Sequence, residues 1–254
     1  MSCEGYGNRL VSLLSWEGAE AGEQLKEARE ELFEIIPELR AEEGFQQNNR
    51  YHVYDVWEHT VEALRYADED IILRLAVLLH DVGKPRCYTE DDNGTGHFYG
   101  HGAVSEKIAG EVLDRLGFEQ DTREMVMELV KYHDAEIHGK SRTVRSWLNR
   151  LGELQLRRLL KVQRCDIRGQ NPEWIKERLQ RADQLEAMVD QAVVRAGLFG
   201  VKDLAVSGQD LMQLGYEPGP ELGQALRELA ELVGRGELDN DRAALLEKAR
   251  PPYL

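Results

Sequence analysis

The chain has 254 residues, 42% of them apolar and 31% charged, enough for a sizeable core beneath a well-solvated surface. Its formal charge of -15 argues against wholesale electrostatic capture of nucleic acid, while leaving room for a local basic patch. Cys3, Cys87 and Cys165 are too few and too far apart, with no CxxC, for a disulfide framework or a thiolate zinc site.

The opening MSCEGYGNRL has neither the basic nor the apolar stretch of a signal peptide. The longest apolar run, 71–79, is interrupted by Arg74 and too short to cross a bilayer. A soluble protein in a reducing cytoplasm, with no membrane partner, is expected.

Nearly everything along the chain reads as helix. Residues 25–36 carry apolar side chains at helical spacing up to Pro37. Residues 53–66 follow, then the apolar segment 71–81, which Pro85 is expected to end. Residues 87–99 differ: the β-prone CYT and HFY flank DDNGTG, whose Asn93-Gly94 signals a hairpin turn. Further helices are predicted at 103–116, 122–132, 142–151 and 153–168. Pro172 suits a first helical turn, and 174–196 reads as one long helix. Ser207 and Asp210 have capping-box spacing, and two last helical stretches are separated by GYEPGP at 215–220. The expected fold is all-α with one small β-hairpin around 87–99. Three parts are expected: an N-terminal helical segment (1–43), a central domain (44–171) and a C-terminal helical region (172–254).

Several ionisable residues fall where periodicity predicts core. His59 lies at helical spacing from Val56 and Ala63, His80 from Ala76 and Val77. His133 shares a face with Val126, Leu129 and Val130, and Asp166 shares one with Leu159 and Val162. Any one of these could be a hydrogen-bonded core residue. Four helices each bringing an ionisable group through the apolar side point instead to a metal, because buried charges and imidazoles are costly unless paired or coordinated. Histidine with carboxylate suits first-row transition metals or Mg²⁺. Asp81 directly follows His80, and His101 in YGHGAV is a further candidate; His97, in the predicted hairpin, is explained equally well as a strand residue.

His59, the doublet His80-Asp81 and the distant Asp166 resemble the H…HD…D signature of the HD-domain superfamily of metal-dependent phosphohydrolases. His101 and His133 fall between the doublet and the last Asp, as in its dinuclear members, and HDVGK adds Lys84. A closer likeness runs from about Leu32 onward. PELRAEEGFQQNNRYHVYDVWEHT, FYGHGAVSEKIAGEVLDRLGF and DLAVSGQDLMQLGYEPGPELGQAL with GELDN are similar to the C-terminal region of bacterial tRNA nucleotidyltransferases, the CCA-adding enzymes. The Gly-Ser or Gly-Gly motif and DxD pair of their catalytic head have no counterpart before Leu32. Asp68-Glu69-Asp70 and Asp239-Asn240-Asp241 satisfy DxD only formally, at helix junctions. The chain is therefore expected not to add nucleotides.

The resemblance implies one or two divalent ions (Mn, Fe, Ni, Co or Mg). His59, His80, Asp81 and Asp166 would hold one, and Asp81, His101 and His133 the other, with Asp81 bridging and an activated water attacking phosphorus. Lys84 would neutralise a phosphoryl oxygen, or simply complement a helix C-terminus. His52 and Asp55 would line the pocket, assist the leaving group, or support the ligands. Between residues 140 and 168 nine Lys or Arg face only Glu153 and Asp166, a landing strip for phosphate or a solvated helical face; Arg142 and Arg145 are the picks for substrate contact. Trp147 and Trp174 are expected to pack helices. The implied function is phosphomonoester or phosphodiester hydrolysis, 2′,3′-cyclic phosphates included, on a nucleotide or RNA end. The alternatives are a non-catalytic tRNA- or RNA-binding module and a metal-holding regulatory protein.

Overall fold

A computed structural model describes residues 3–15, 21–198 and 200–250. Helix α1 (Cys3–Leu13), which the apolar pattern did not announce, is followed by α2 (Ala21–Glu27) and α3 (Arg29–Ile35). The single helix expected over 25–36 is thus two, divided at Ala28 (φ -82°, ψ 4°). A 3-10 turn at Pro37–Glu42 leads to α4 (Val56–Leu64), which starts later than the predicted 53–66 because Asp55 caps it. Helix α5 (Ile71–Leu79) is capped by Asp70, whose Oδ1 accepts from the amides of Ile72 and Leu73 at 3.0 and 3.3 Å. Pro85 does not merely end a helix. It sits in the first turn of a short one, α6 (Lys84–Cys87), where its missing N–H costs nothing.

Strands β1 (Thr89–Glu90) and β2 (Gly96–His97) pair antiparallel, with Thr89 opposite His97 and Glu90 opposite Gly96. Asp91 holds their turn, its Oδ1 accepting from the amides of Asn93 and Thr95 at 2.9 Å each. Helices α7 (His101–Arg115) and α8 (Gln120–Tyr132) come next. The two helices expected at 142–151 and 153–168 run on as α9 (Ser141–Arg168), kinked at Gly152 (φ 73°, ψ 165°), a conformation that only glycine adopts cheaply. Then come α10 (Pro172–Leu198), a 3-10 turn at Val201–Asp203, α11 (Gly208–Met212), α12 (Pro220–Arg235) and α13 (Arg242–Lys248). The fold is mostly helical with one small hairpin, as expected.

Two compact units are cut from the chain at other points than 43/44 and 171/172. The first comprises residues 1–136 and 157–182, the second 137–156 and 183–254. In the first, α5 packs against α4 and α8, and α8 against α7. Leu73, Leu75, Ala76, Val77, Leu78 and Leu79 are essentially without solvent exposure, each large one contributing about 1.5–3 kcal/mol. Arg74, which interrupts this run, is buried yet satisfied: Nη1 donates to the Leu14 carbonyl at 2.5 Å. The second unit has its own core of Val206, Leu211, Leu226, Leu229 and Leu245. Its capping box forms as read, with the Ser207 amide donating to Asp210 Oδ2 at 2.7 Å. Cys87 and Cys165 are free thiols; the Cys3 side chain lies outside the description. No helix among the described residues is long and apolar enough to cross a membrane.

Candidate metal centre

Five segments of the first unit deliver His59 (in α4), His80-Asp81 (after α5), His101 (opening α7), His133 (closing α8) and Asp166 (last turn of α9) to one place. All but Asp166, which is half-buried, are buried. Asp81 lies between two histidine pairs. Its Oδ2 is 3.1 Å from His80 Nε2 and 3.5 Å from His59 Nε2; its Oδ1 is 3.4 Å from His101 Nε2 and 3.5 Å from His133 Nε2. Asp166 Oδ1 is 3.0 Å from His59 Nε2.

The other ring nitrogens decide what these contacts mean. Nδ1 of His80 lies 2.7 Å from the Val77 carbonyl, that of His101 2.9 Å from Phe98 and that of His133 2.7 Å from Val130, each three residues upstream. His59 Nδ1 reaches the Gly169 carbonyl at 2.9 Å. A carbonyl oxygen only accepts, so all four Nδ1 atoms carry hydrogen and donate. In the neutral rings every Nε2 is then a bare lone pair aimed inward. His59 and His80 present theirs 3.2 Å apart, and His101 and His133 theirs 3.0 Å apart. Asp81 Oδ1 is buried without a hydrogen-bond partner. Lone pairs facing lone pairs and carboxylates repel one another. This donor set fits one or two divalent cations, with the Nδ1–carbonyl bonds orienting the ligands.

Burial alone would push the Asp81 carboxyl up; where the imidazoles are protonated, the charges of His80 and Lys84, with donation from His101 and His133, outweigh it and hold the group well below the ordinary carboxylate range. Burial would push the Asp166 carboxyl up as well; where His59 is protonated, donation from its Nε2 outweighs this and holds the group far down, the place a cation takes when the ring is neutral. Lys84 is buried at the start of α6, not at a helix C-terminus, with Nζ 2.6 Å from Asp81 Oδ2 and donating to Gln47 Oε1 at 2.7 Å. Gly83 lets this turn pack directly on the first turns of α7: a Cβ there would lie 2.7 Å from the Ser105 amide nitrogen. His52 donates from Nδ1 to Asn49 Oδ1 at 2.9 Å, and its Nε2 is buried and unpartnered within reach of His59 and Asp166. Burial, then the charge of Lys84, pushes its pKa down to about 2.

Other expected residues are occupied elsewhere. Asp55 accepts from the Glu58 amide at 2.7 Å and the Gly44 amide at 2.8 Å, so both oxygens serve the backbone. His97 faces Asp91 and stacks on Tyr99. Arg142 and Arg145 belong to the second unit, where Arg142 is exposed and Arg145 lines a cleft of about 540 Å³ with Ser141, Met188 and Leu238. Within the basic run, Arg158 and Lys161 pair with Asp70 and Asp68. Asp241 caps α13, so both formal DxD triplets are engaged in local structure.

Three residues near the centre escaped the sequence reading. Glu42 is fully buried, and burial followed by the charge of Asp81 raises its carboxyl well above the ordinary range. Its signal was position: Leu39 and Glu42 are three apart in a 3-10 turn, where such residues eclipse, and both are buried. Gln47 anchors Lys84. Gln170 donates from Nε2 to both oxygens of Asp166 at 3.0 Å, orienting that carboxylate.

The family model for tRNA nucleotidyltransferase domain 2 matches residues 101–249, more than half of the chain. The chain belongs to that family. Among similar proteins, the A-adding tRNA nucleotidyltransferase of Deinococcus radiodurans is 33% identical over 249 residues, which cover 93% of this chain and 56% of that protein. The CC-adding tRNA nucleotidyltransferase of Thermus thermophilus is 31% identical over 244 residues, covering 92% and 54%. A bifunctional uridylyltransferase/uridylyl-removing enzyme of Cereibacter sphaeroides is 30% identical over 168 residues, covering 54% and 17%. The chain thus spans about half the length of the tRNA nucleotidyltransferases it matches. Within the tRNA nucleotidyltransferase domain 2 match lie His101, His133 and Asp166; His59, His80 and Asp81 precede it.

Proposed function

We propose that this member of the family is a metal-dependent phosphohydrolase of the HD-domain type, acting on a phosphomonoester or phosphodiester of a nucleotide or RNA end, 2′,3′-cyclic phosphates included. One observation carries the reading: Asp81 stands between two pairs of imidazole lone pairs with Oδ1 unpartnered. A pure binding module has no use for such a costly arrangement. His59, His80, Asp81 and Asp166 would hold one ion, and Asp81, His101 and His133 a second; Mn, Fe, Ni, Co and Mg all suit the set.

A divalent cation at such a site supplies Lewis acidity, polarising a phosphoryl oxygen and making water a nucleophile at neutral pH. The chain's own residues do the rest. Lys84 holds a positive charge against Asp81 and, through Gln47, stays fixed where phosphoryl charge develops. Neutral His52 cannot give up a proton near pH 7, so its Nε2 serves to accept a hydrogen bond from substrate or water. Gln170 keeps both Asp166 oxygens in place. A cytoplasmic setting goes with this chemistry and with the free thiols of Cys87 and Cys165.

The second reading, a non-catalytic tRNA- or RNA-binding body, is favoured by the relatives' names, both tRNA nucleotidyltransferases. The experiment is turnover of a phosphoester panel by protein loaded with Mn²⁺, Fe²⁺, Co²⁺, Ni²⁺ or Mg²⁺. Phosphate release that Asp81→Ala abolishes supports the hydrolase. No turnover on any substrate, together with tight tRNA binding, supports the binding module.

A further inference from the structure

Next to the metal centre stands a group of side chains that the proposed chemistry leaves unused. The Arg50 guanidinium lies over two rings, its carbon 4.7 Å from the Tyr51 centroid and 5.0 Å from that of Trp174. The rings meet edge to face at 5.8 Å, and Arg178 lies 5.7 Å from Tyr51. Trp174, expected to pack helices, is only half-buried, and its Nε1 is buried with no hydrogen-bond partner.

The group is tied to the ligands on two sides. Tyr51 directly precedes His52, whose ring is 5.1 Å from that of His59. Asn171 donates its amide to the Tyr51 carbonyl at 2.8 Å and its side chain to the Arg50 carbonyl at 2.9 Å. The preceding Gln170 accepts from Arg178 while donating to Asp166.

The charge pattern shows what is missing. In a chain of net charge -15, Arg9, Arg40, Arg115, Arg158 and Arg242 each pair with a carboxylate. Among the described residues, Arg50 and Arg178 pair with none; their partners are a phenol, an amide and aromatic faces. Two uncompensated cations on an aromatic wall beside a phosphoryl site suit a ligand with a negative charge and a flat π-face. A nucleotide has both: its base stacks on an aromatic or guanidinium plane and its phosphate takes a charge-assisted hydrogen bond.

We propose that Arg50, Tyr51, Trp174 and Arg178 form the subsite for the nucleoside end of the substrate, Arg50 and the two rings taking the base and Arg178 a neighbouring phosphate. The inference rests on the phosphohydrolase reading for the fate of that phosphate, but base recognition is measured by binding alone. The same chemistry is offered by a free nucleotide and by the 3′ end of an RNA.

The test is calorimetric titration of the full chain, loaded with Mn²⁺, with AMP, ribose 5-phosphate and a short RNA bearing a 3′-phosphate. AMP is expected to bind about tenfold more tightly than ribose 5-phosphate, the worth of one stacked base. Arg50→Gln, at an exposed position, should erase most of that selectivity. RNA tighter than AMP identifies an RNA end as the source; equal affinity identifies a free nucleotide. Equal binding of AMP and ribose 5-phosphate by the wild-type protein, binding of neither, or unchanged selectivity in the variant overturns the inference. Base-selective binding without turnover of any phosphoester would leave the subsite standing and remove the hydrolase reading.

Discussion

His101 and His133 bring their Nε2 atoms to 3.0 Å although each ring already donates its Nδ1 hydrogen to a carbonyl three residues upstream. Two bare lone pairs therefore face each other beside Asp81 Oδ1, and a bound cation relieves the repulsion. Mn²⁺ at a hundredfold excess over its dissociation constant should stabilise the protein by about 2.7 kcal/mol. Thermal melts in chelator and in Mn²⁺ measure this. Asp81→Ala should abolish the shift and, by leaving buried Lys84 without its carboxylate, cost about 3–5 kcal/mol of its own. A full Mn²⁺ shift in that variant would rule Asp81 out as a shared ligand.

Glu42 carries a pH signature of opposite sign to Asp81. Burial raises its folded pKa, so its contribution is fully present below the unfolded value near 4.3 and is lost as pH rises toward the folded one. Glu42→Gln removes the titration. The variant should match wild type near pH 4 and become progressively more stable than it toward pH 7, by at most about 1.4 kcal/mol per pH unit. Paired denaturant melts in chelator across that range are decisive. A difference that does not grow with pH would mean that Glu42 is ionised in the fold.

Asp55 separates architecture from chemistry. With both oxygens on backbone amides, Asp55→Ala should cost about 1–2 kcal/mol through the lost cap of α4. Metal content per folded molecule and the KM for a phosphoester should stay close to wild type. A KM raised tenfold with stability unchanged would instead make it a substrate contact.

Gly169 acts on His59 from across the fold. A Cβ at this position would lie 2.9 Å from both the Nδ1 and the carbonyl oxygen of His59. Gly169→Ala should displace the ring and weaken metal binding by about 10- to 100-fold, as loss of a ligand's orienting bond does elsewhere. Competition with a chromogenic chelator would report it; an unchanged affinity would show that the Gly169 carbonyl does not set the ring.

The helices were legible because an apolar face must be buried, and burial imposes a period of 3.6 on the sequence. That logic found α4, α5, α7, α8 and both limbs of α9, and it made His59, His80, His133 and Asp166 conspicuous on apolar faces. It missed α1 and the break at Ala28, where amphipathic pattern and local backbone preference diverge. By pattern alone Pro85 is a terminator, although the same fixed φ also starts a turn.

By itself, then, the sequence determined which residue types reach the interior and, through carbonyls three residues upstream, how His80, His101 and His133 are oriented there. Both are local matters of periodicity and of the last or first helical turn. Only the tertiary structure decided that Gly169 orients His59, that Asp166 meets His59, that Gln47 anchors Lys84, and that Arg142 and Arg145 belong to a different unit. Those pairings join residues up to 110 positions apart, and no sequence period records where distant segments meet.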